Sequence, residues 1–187
     1  MKEDFDFLKV AFSNPHTGAV ARSSHYVVKV VLDLISGRKL SQVIEYGPGD
    51  GVVTIELLKQ LSPDGKLLAV EIDPEFLKIL GSIHDPRLRV VNGTIQDVSR
   101  NMEAHSSHKV DLVVSSIPFS SLSSREREEV VRLTQRILIP GGMFIIFHQY
   151  SSIMVRPLKK YFGQVEVCFE PRNFFPCFII SAKNKDI

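Results

Sequence analysis

Within 187 residues the chain has only two cysteines, no apolar run long enough to span a bilayer, and almost no net charge. Each shortage excludes a class of protein. Cys168 and Cys177 stand in apolar segments without metal-ligand spacing, which rules out a disulfide scaffold and predicts two buried free thiols. Among six histidines only His105-x-x-His108 has a suggestive spacing, and it falls in a serine-rich stretch, so no metal is expected. A spanning helix needs about eighteen or more apolar residues, and the charged start Met1 to Asp6 has no secretory pattern; a cytoplasmic protein is expected. Lys and Arg total 23 against 21 Asp and Glu, and the isoelectric point is near 8.5. That balance is milder than the strongly basic, clustered charge of dedicated nucleic-acid domains. There is no internal repeat, low-complexity tract or linker, and 44% of residues are hydrophobic. One packed domain over 1–187 is expected, with a helical segment at 1–40 ahead of an α/β core at 41–187.

From residue 41 onward short apolar strands alternate with helical patterns, the signature of βαβ units and a parallel sheet. Strands are predicted at 42–46, 66–71, 88–92, 110–115, 142–148, 164–169 and 176–182. Helices are predicted at 54–60, 74–80 and 124–138. The last opens on a capping box, Ser123-x-x-Glu126, and carries Val130, Leu133, Thr134 and Ile137 at helical spacing; Pro140-Gly141-Gly142 then reads as its stop. Residues 170–175 are too few for a helical crossover, so the final two strands must be antiparallel neighbours. In the first forty residues, 24–36 carries Tyr26, Val27, Val30, Val31, Leu34 and Ile35. A shorter amphipathic helix is predicted at 3–12, with Phe5, Leu8 and Phe12 among Lys2 and Lys9, and it reads either as a lid on the core or as an interfacial helix at a lipid surface.

The chemistry concentrates at two strand ends. Val43 to Gly51 reads V-I-E-Y-G-P-G-D-G, and Val70 to Asp73 reads V-E-I-D, with Glu71 twenty residues after Gly51. A glycine turn after one strand and a carboxylate at the end of the next form a nucleoside site in open α/β sheets, where ligands lie beyond the carboxyl ends of the strands. The dinucleotide fingerprint is G-x-G-x-x-G. Here the spacing is G-x-G-x-G, and Val52 stands where the third glycine would fall, which argues against NAD or FAD.

These stretches resemble motifs I and II of the class I S-adenosylmethionine (SAM) methyltransferases. The resemblance implies a Rossmann-like α/β fold: a seven-stranded, mostly parallel sheet with an antiparallel C-terminal hairpin and helices on both faces. It also implies SAM as cofactor, with Gly47, Gly49 and Gly51 near the methionine portion and Glu71 on the ribose. Glu45, Ile72, Thr94, Ile95, Ser115 and Ser116 complete the implied cofactor contacts. The chain departs from the common pattern at Thr94, where N-G-D is more usual than Asn92-Gly93-Thr94.

Ser115-Ser116-Ile117-Pro118-Phe119 sits where adenine-N6 methyltransferases carry Asn- or Asp-Pro-Pro-Tyr, with Ser116 replacing the amide or acid and Phe119 the tyrosine. Over nearly the whole chain the sequence is similar to small bacterial phospholipid N-methyltransferases. The discriminating stretch is Phe12-Ser-Asn-Pro-His-Thr-Gly-Ala-Val-Ala-Arg-Ser-Ser24. That resemblance implies methylation of the amine of phosphatidylethanolamine or its methylated derivatives at a membrane surface, with Pro118, Phe119 and Phe12 toward the acceptor. The amine must lose a proton, and His148, Tyr150, Tyr26 and His16 are the candidates to accept or relay it or to orient the amine; each also reads as an ordinary core or surface side chain. The basic segment Arg156 to Tyr161 reads either as a phosphate-facing patch or as a solvated face. Methylation of RNA adenine or of a small molecule, and a non-catalytic SAM- or lipid-binding module, stay open as alternatives. No obligate protein partner is expected.

Overall fold

The structure, a computed structural model, describes residues 24–98, 110–149, 152–172 and 176–185. The helix expected at 3–12 and the His105–His108 pair lie outside these residues. Helix α1 (His25–Ile35) leads into β1 (Leu40–Tyr46), α2 (Val52–Gln60), β2 (Leu61–Glu71), α3 (Pro74–Gly81) and β3 (Leu88–Asn92). Strand β4 (Val110–Ser115), a 3-10 turn at Phe119–Ser121, α4 (Ser124–Ile137), β5 (Leu138–Gln149), α5 (Val155–Tyr161), β6 (Gln164–Glu170) and β7 (Cys177–Lys183) follow.

The seven strands order as β3-β2-β1-β4-β5-β7-β6. The first five are parallel, and β7 runs antiparallel between β5 and β6. Alternation along the strands divides the core in two. Ile44, Val113, Phe144, Ile146 and Ile180 face α4 and α5, whereas Val43, Leu112, Val114, Ile145 and Ile179 face α1 and α2. Both faces of the central strands are covered, which leaves the strand ends there to form a site. The order reverses between β1 and β4, and at that point the chain leaves β1 through the glycine loop.

Local chemistry fixes the helix starts beside that edge. Both bonds of the Ser123–Glu126 capping box form, and the Asp73 side chain accepts from the Glu75 amide at 2.8 Å with Pro74 at the first helical position.

Three expectations need correction. Strands β2 and β5 begin earlier than expected, at Leu61 and Leu138, each with a register irregularity. Pro140-Gly141-Gly142 is absorbed into the irregular stretch of β5 instead of separating helix from strand. Asn184 holds it there: its Nδ2 donates to Leu138 O and Ile139 O, each at 3.1 Å, and its own amide donates to Gly142 O at 2.8 Å. Residues 155–161 form a helix, in which Lys160 pairs with Glu128 of α4 in a largely exposed ion pair. Neither cysteine forms a disulfide, but only Cys177 is buried; Cys168 is exposed because it lies on an edge strand of the sheet. Among the described residues, no helix is long and apolar enough to cross a membrane.

Candidate active site

The loop after β1 is built from left-handed glycines: Gly47, Gly49 and Gly51 have φ of 68°, 57° and 80°. Other residues reach that region at a cost of roughly 1–2 kcal/mol each. Gly47 is also pressed against the loop after β4, where an added Cβ would stand 2.8 Å from Ile117 Cγ2. At Gly49 a Cβ would point into open space. Gly51 also carries a packing constraint. It caps α2, and a Cβ there would meet Ile83 and Leu80 at 3.0 and 3.2 Å, so it serves helix packing.

Glu71, at the end of β2, is 2% exposed. Its Oε1 accepts from the amides of Ile72 and Asp73 at 2.8 and 3.0 Å, and its Oε2 accepts from the amide of Gly49 at 3.1 Å. Burial raises its pKa, and the three amides oppose the rise. A carboxylate has about four acceptor positions, so capacity remains on Oε2 for a ligand hydroxyl. Gly47 N–H donates to Val70 O at 2.9 Å and Ser116 N–H to Tyr46 O at 3.1 Å, which ties the loop to both neighbouring strand ends. The Ser116 hydroxyl donates to Gly47 O, so this side chain braces the loop.

Between these strand ends opens a cleft of about 590 Å³, its open mouth included. Gly47, Glu71, Ile72, Thr94 and Ile95 line it as the sequence suggests. The remaining wall went unpredicted: Tyr46, Val70, Gly93, Gln96, Ile117, Leu122, Glu126 and Val130. The walls are apolar, with Thr94, Gln96 and Glu126 as polar groups. Such a slot suits a flat nucleobase with hydrogen-bonding edges, beside a carboxylate suited to a ribose.

Other expected contacts lie beneath or behind the cleft. Glu45 is buried under the loop, where its Oε2 accepts from Thr54 Oγ1 at 2.6 Å, and burial pushes its pKa up to about 7. Ser115 is fully buried. Phe119, expected to face the acceptor, is 0% exposed and packs in the core, because the 3-10 turn rolls its ring inward. Pro118 precedes that turn as its cap.

Of the candidates for handling the proton, His16 and Tyr150 lie outside the described residues, as does Phe12, which was expected toward the acceptor. His148 is the penultimate residue of β5, its backbone opposite Phe178 of β7. Tyr26, near the start of α1, lies under the Arg172 guanidinium, 4.3 Å from its ring centroid. Arg172 follows β6, whose last residue pairs with Cys177 at the level of Gln149. Tyr26 and His148 therefore both lie at the carboxyl edge of the sheet, on the β5–β7–β6 side, away from the cleft at β1 to β4.

The methyltransferase domain family matches residues 43–142, a span that holds the glycine loop, Glu71 and the cleft. An ornithine lipid N-methyltransferase from Singulisphaera acidiphila is 27% identical over 179 residues, 94% of this chain and 93% of that protein. Among solved structures, N-methyltransferase NodS from Bradyrhizobium japonicum WM9, in complex with S-adenosyl-L-homocysteine, has a TM-score of 0.70 at 13% identity, covering 97% of this chain and 98% of that one. The 1,6-didemethyltoxoflavin-N1-methyltransferase of Burkholderia thailandensis, with 1,6-didemethyltoxoflavin and S-adenosylhomocysteine bound, has a TM-score of 0.73 at 18% identity, covering 99% and 90%. At such identities the two structures speak to the fold alone.

Proposed function

The chain belongs to the methyltransferase domain family, with S-adenosylmethionine as its methyl donor, and from that premise we propose that it is a lipid N-methyltransferase acting on the amine of phosphatidylethanolamine or its methylated derivatives. The observation that carries this reading is the near-full-length likeness to a lipid N-methyltransferase, which continues past both ends of the shared domain. Other curated relatives, such as a putative O-methyltransferase of Mycobacterium avium, match a smaller share of the chain, 69%.

The residues present fit the donor. Glu71 would take the ribose hydroxyls, the open side of Gly49 leaves room for the methionine portion, and Thr94, Gln96 and Glu126 would border the adenine. When bound, the donor supplies a methyl group already activated by its sulfonium. The protein's remaining task is to align a neutral amine with it and exclude water. As the new N–C bond forms, the S–C bond breaks, and the nitrogen loses one proton for each methyl gained up to the tertiary amine. A primary amine has a pKa near 10, so a group at the carboxyl edge must accept or relay that proton. Of the expected candidates this reading takes His148, near the end of β5. A peripheral approach to the bilayer face, with the membrane as partner, belongs to this reading.

The test is methyl transfer from radiolabelled SAM to phosphatidylethanolamine vesicles, ornithine lipid vesicles and unmodified ribosomal RNA in parallel. Label in a lipid fraction is expected. Label confined to RNA would overturn the lipid reading, and tight SAM binding with no label in any fraction would make the protein a non-catalytic module.

A further inference from the structure

The β6–β7 turn carries a cation with an unusually complete support. Glu170, the last residue of β6, is buried, and its carboxylate receives Arg172 in a fork: Nε donates to Oε1 at 2.8 Å and Nη2 to Oε2 at 2.7 Å. The Arg172 amide adds a bond to Oε1 at 2.9 Å. These contacts hold the Glu170 carboxyl well below the usual range, at about 2. The Tyr26 ring supports the guanidinium from α1, well inside the ~6 Å reach of a cation–π contact. The planar group is thus fixed on one edge and one face. Nη1, with two N–H donors, has no partner among the described residues, and the arginine side chain is 62% exposed.

Neutralising one buried carboxylate requires only the fork. It does not require a ring beneath the guanidinium or a free donor pair facing outward at the acceptor end of the sheet. On the opposite face of β6, Val167 and Phe169 are 47% and 53% exposed, and the Phe169 ring packs against Phe178 at 5.0 Å. Apolar surface therefore reaches the same turn, as a lipid tail or bilayer interface would use.

We infer that Arg172, held by Glu170 and Tyr26, binds the acidic oxyanion of the acceptor lipid's headgroup and so positions its amine along the carboxyl edge. The inference rests on the lipid reading and adds the residue that recognises the headgroup. The shared chemistry is a zwitterion with an oxyanion a few bonds from an amine. A phosphodiester supplies that oxyanion in phosphatidylethanolamine and a carboxylate in ornithine lipid. Guanidinium matches both by paired hydrogen bonds.

The experiment compares wild type with Arg172→Gln, Arg172→Lys and Tyr26→Leu. Each acceptor is presented in phosphatidylcholine vesicles, and KM, kcat and SAM affinity are measured separately. Because Arg172→Gln leaves a buried carboxylate alone, the double variant Glu170→Gln/Arg172→Gln is included as a neutral pair. The expected result for Arg172→Gln and the double variant is a rise in KM of roughly tenfold or more, the usual worth of a charge-assisted hydrogen bond. SAM affinity should be unchanged, Arg172→Lys should fall between, and Tyr26→Leu should shift KM the same way by less. An effect on phosphatidylethanolamine alone assigns the site to phosphate, and one on ornithine lipid alone assigns it to carboxylate. Wild-type KM on both lipids in the folded double variant overturns the inference while leaving the functional reading intact. A wild-type protein that methylates neither lipid overturns the reading itself.

Discussion

The Gly49 amide donates to Glu71 Oε2 at 3.1 Å, so the loop after β1 and the carboxylate ending β2 form one unit. The carboxylate that would hold a ribose also fixes the backbone that would border the methionine portion. Glu71→Ala should therefore lose more than a ribose contact. Each bond to a charged group is worth about 1.5–3 kcal/mol, which predicts SAM binding weaker by roughly tenfold to a hundredfold or more in a protein that still folds. Titration calorimetry on the purified variant would show this, and wild-type affinity would remove Glu71 from the site.

Gly47→Ala and Gly49→Ala should separate folding from binding. Both place a side chain at positive φ, costing roughly 1–2 kcal/mol. Only the Gly47 variant drives a Cβ into Ile117, with a further ~1–3 kcal/mol for overpacking. Denaturant midpoints should fall further for Gly47→Ala. Gly49→Ala should keep most of its stability yet bind SAM poorly, and Gly49→Val more poorly still. Equal midpoints would contradict the close approach of the two loops.

Glu45 gives the fold a pH dependence with a definite sign. Its folded pKa, about 7, lies above the ordinary 4.5 because burial disfavours the charge. The folded state therefore holds the proton longer than the unfolded chain, and stability should fall as pH rises from about 4.5 to about 7. The loss attributable to this group is about 3 kcal/mol across that window. Urea unfolding at pH 5 and pH 7.5 should show a smaller pH dependence in Glu45→Gln than in wild type. Parallel behaviour of the two proteins would mean that Glu45 is already ionised at pH 5.

Asn184→Ala should destabilise without touching the chemistry. The side chain satisfies the carbonyls of Leu138 and Ile139 and accepts from Gln135 Nε2 at 2.9 Å. Leaving buried groups unsatisfied costs about 1–3 kcal/mol each. Thermal melts should register the loss, while methyl transfer well below the melting point stays at wild-type rate.

The parts of this protein that depend on neighbours in sequence were legible beforehand. The glycine spacing, the V-E-I-D stretch, the capping box and the short final connection each act over a few residues, and they led to the sheet, its antiparallel end and the smaller part of the cleft. The larger part of the cleft, including Gln96, Ile117, Leu122, Glu126 and Val130, comes from segments that meet only in space. Breaker residues misled where tertiary contacts absorb them. Pro140-Gly141-Gly142 sits within β5 under Asn184. Phe119 misled because an aromatic after a proline at a strand end reads as outward-facing until the turn that buries it is seen.

Glu126 both closes the capping box of α4, accepting from the Ser123 amide at 2.6 Å, and lines the cleft. The fraying of that helix's first turn is thereby coupled to whatever lies beside the carboxylate. A nucleoside in the cleft should slow amide hydrogen exchange in the first turn of α4, so an isotope-exchange experiment could read cofactor occupancy from a helix that carries none of the sequence motifs.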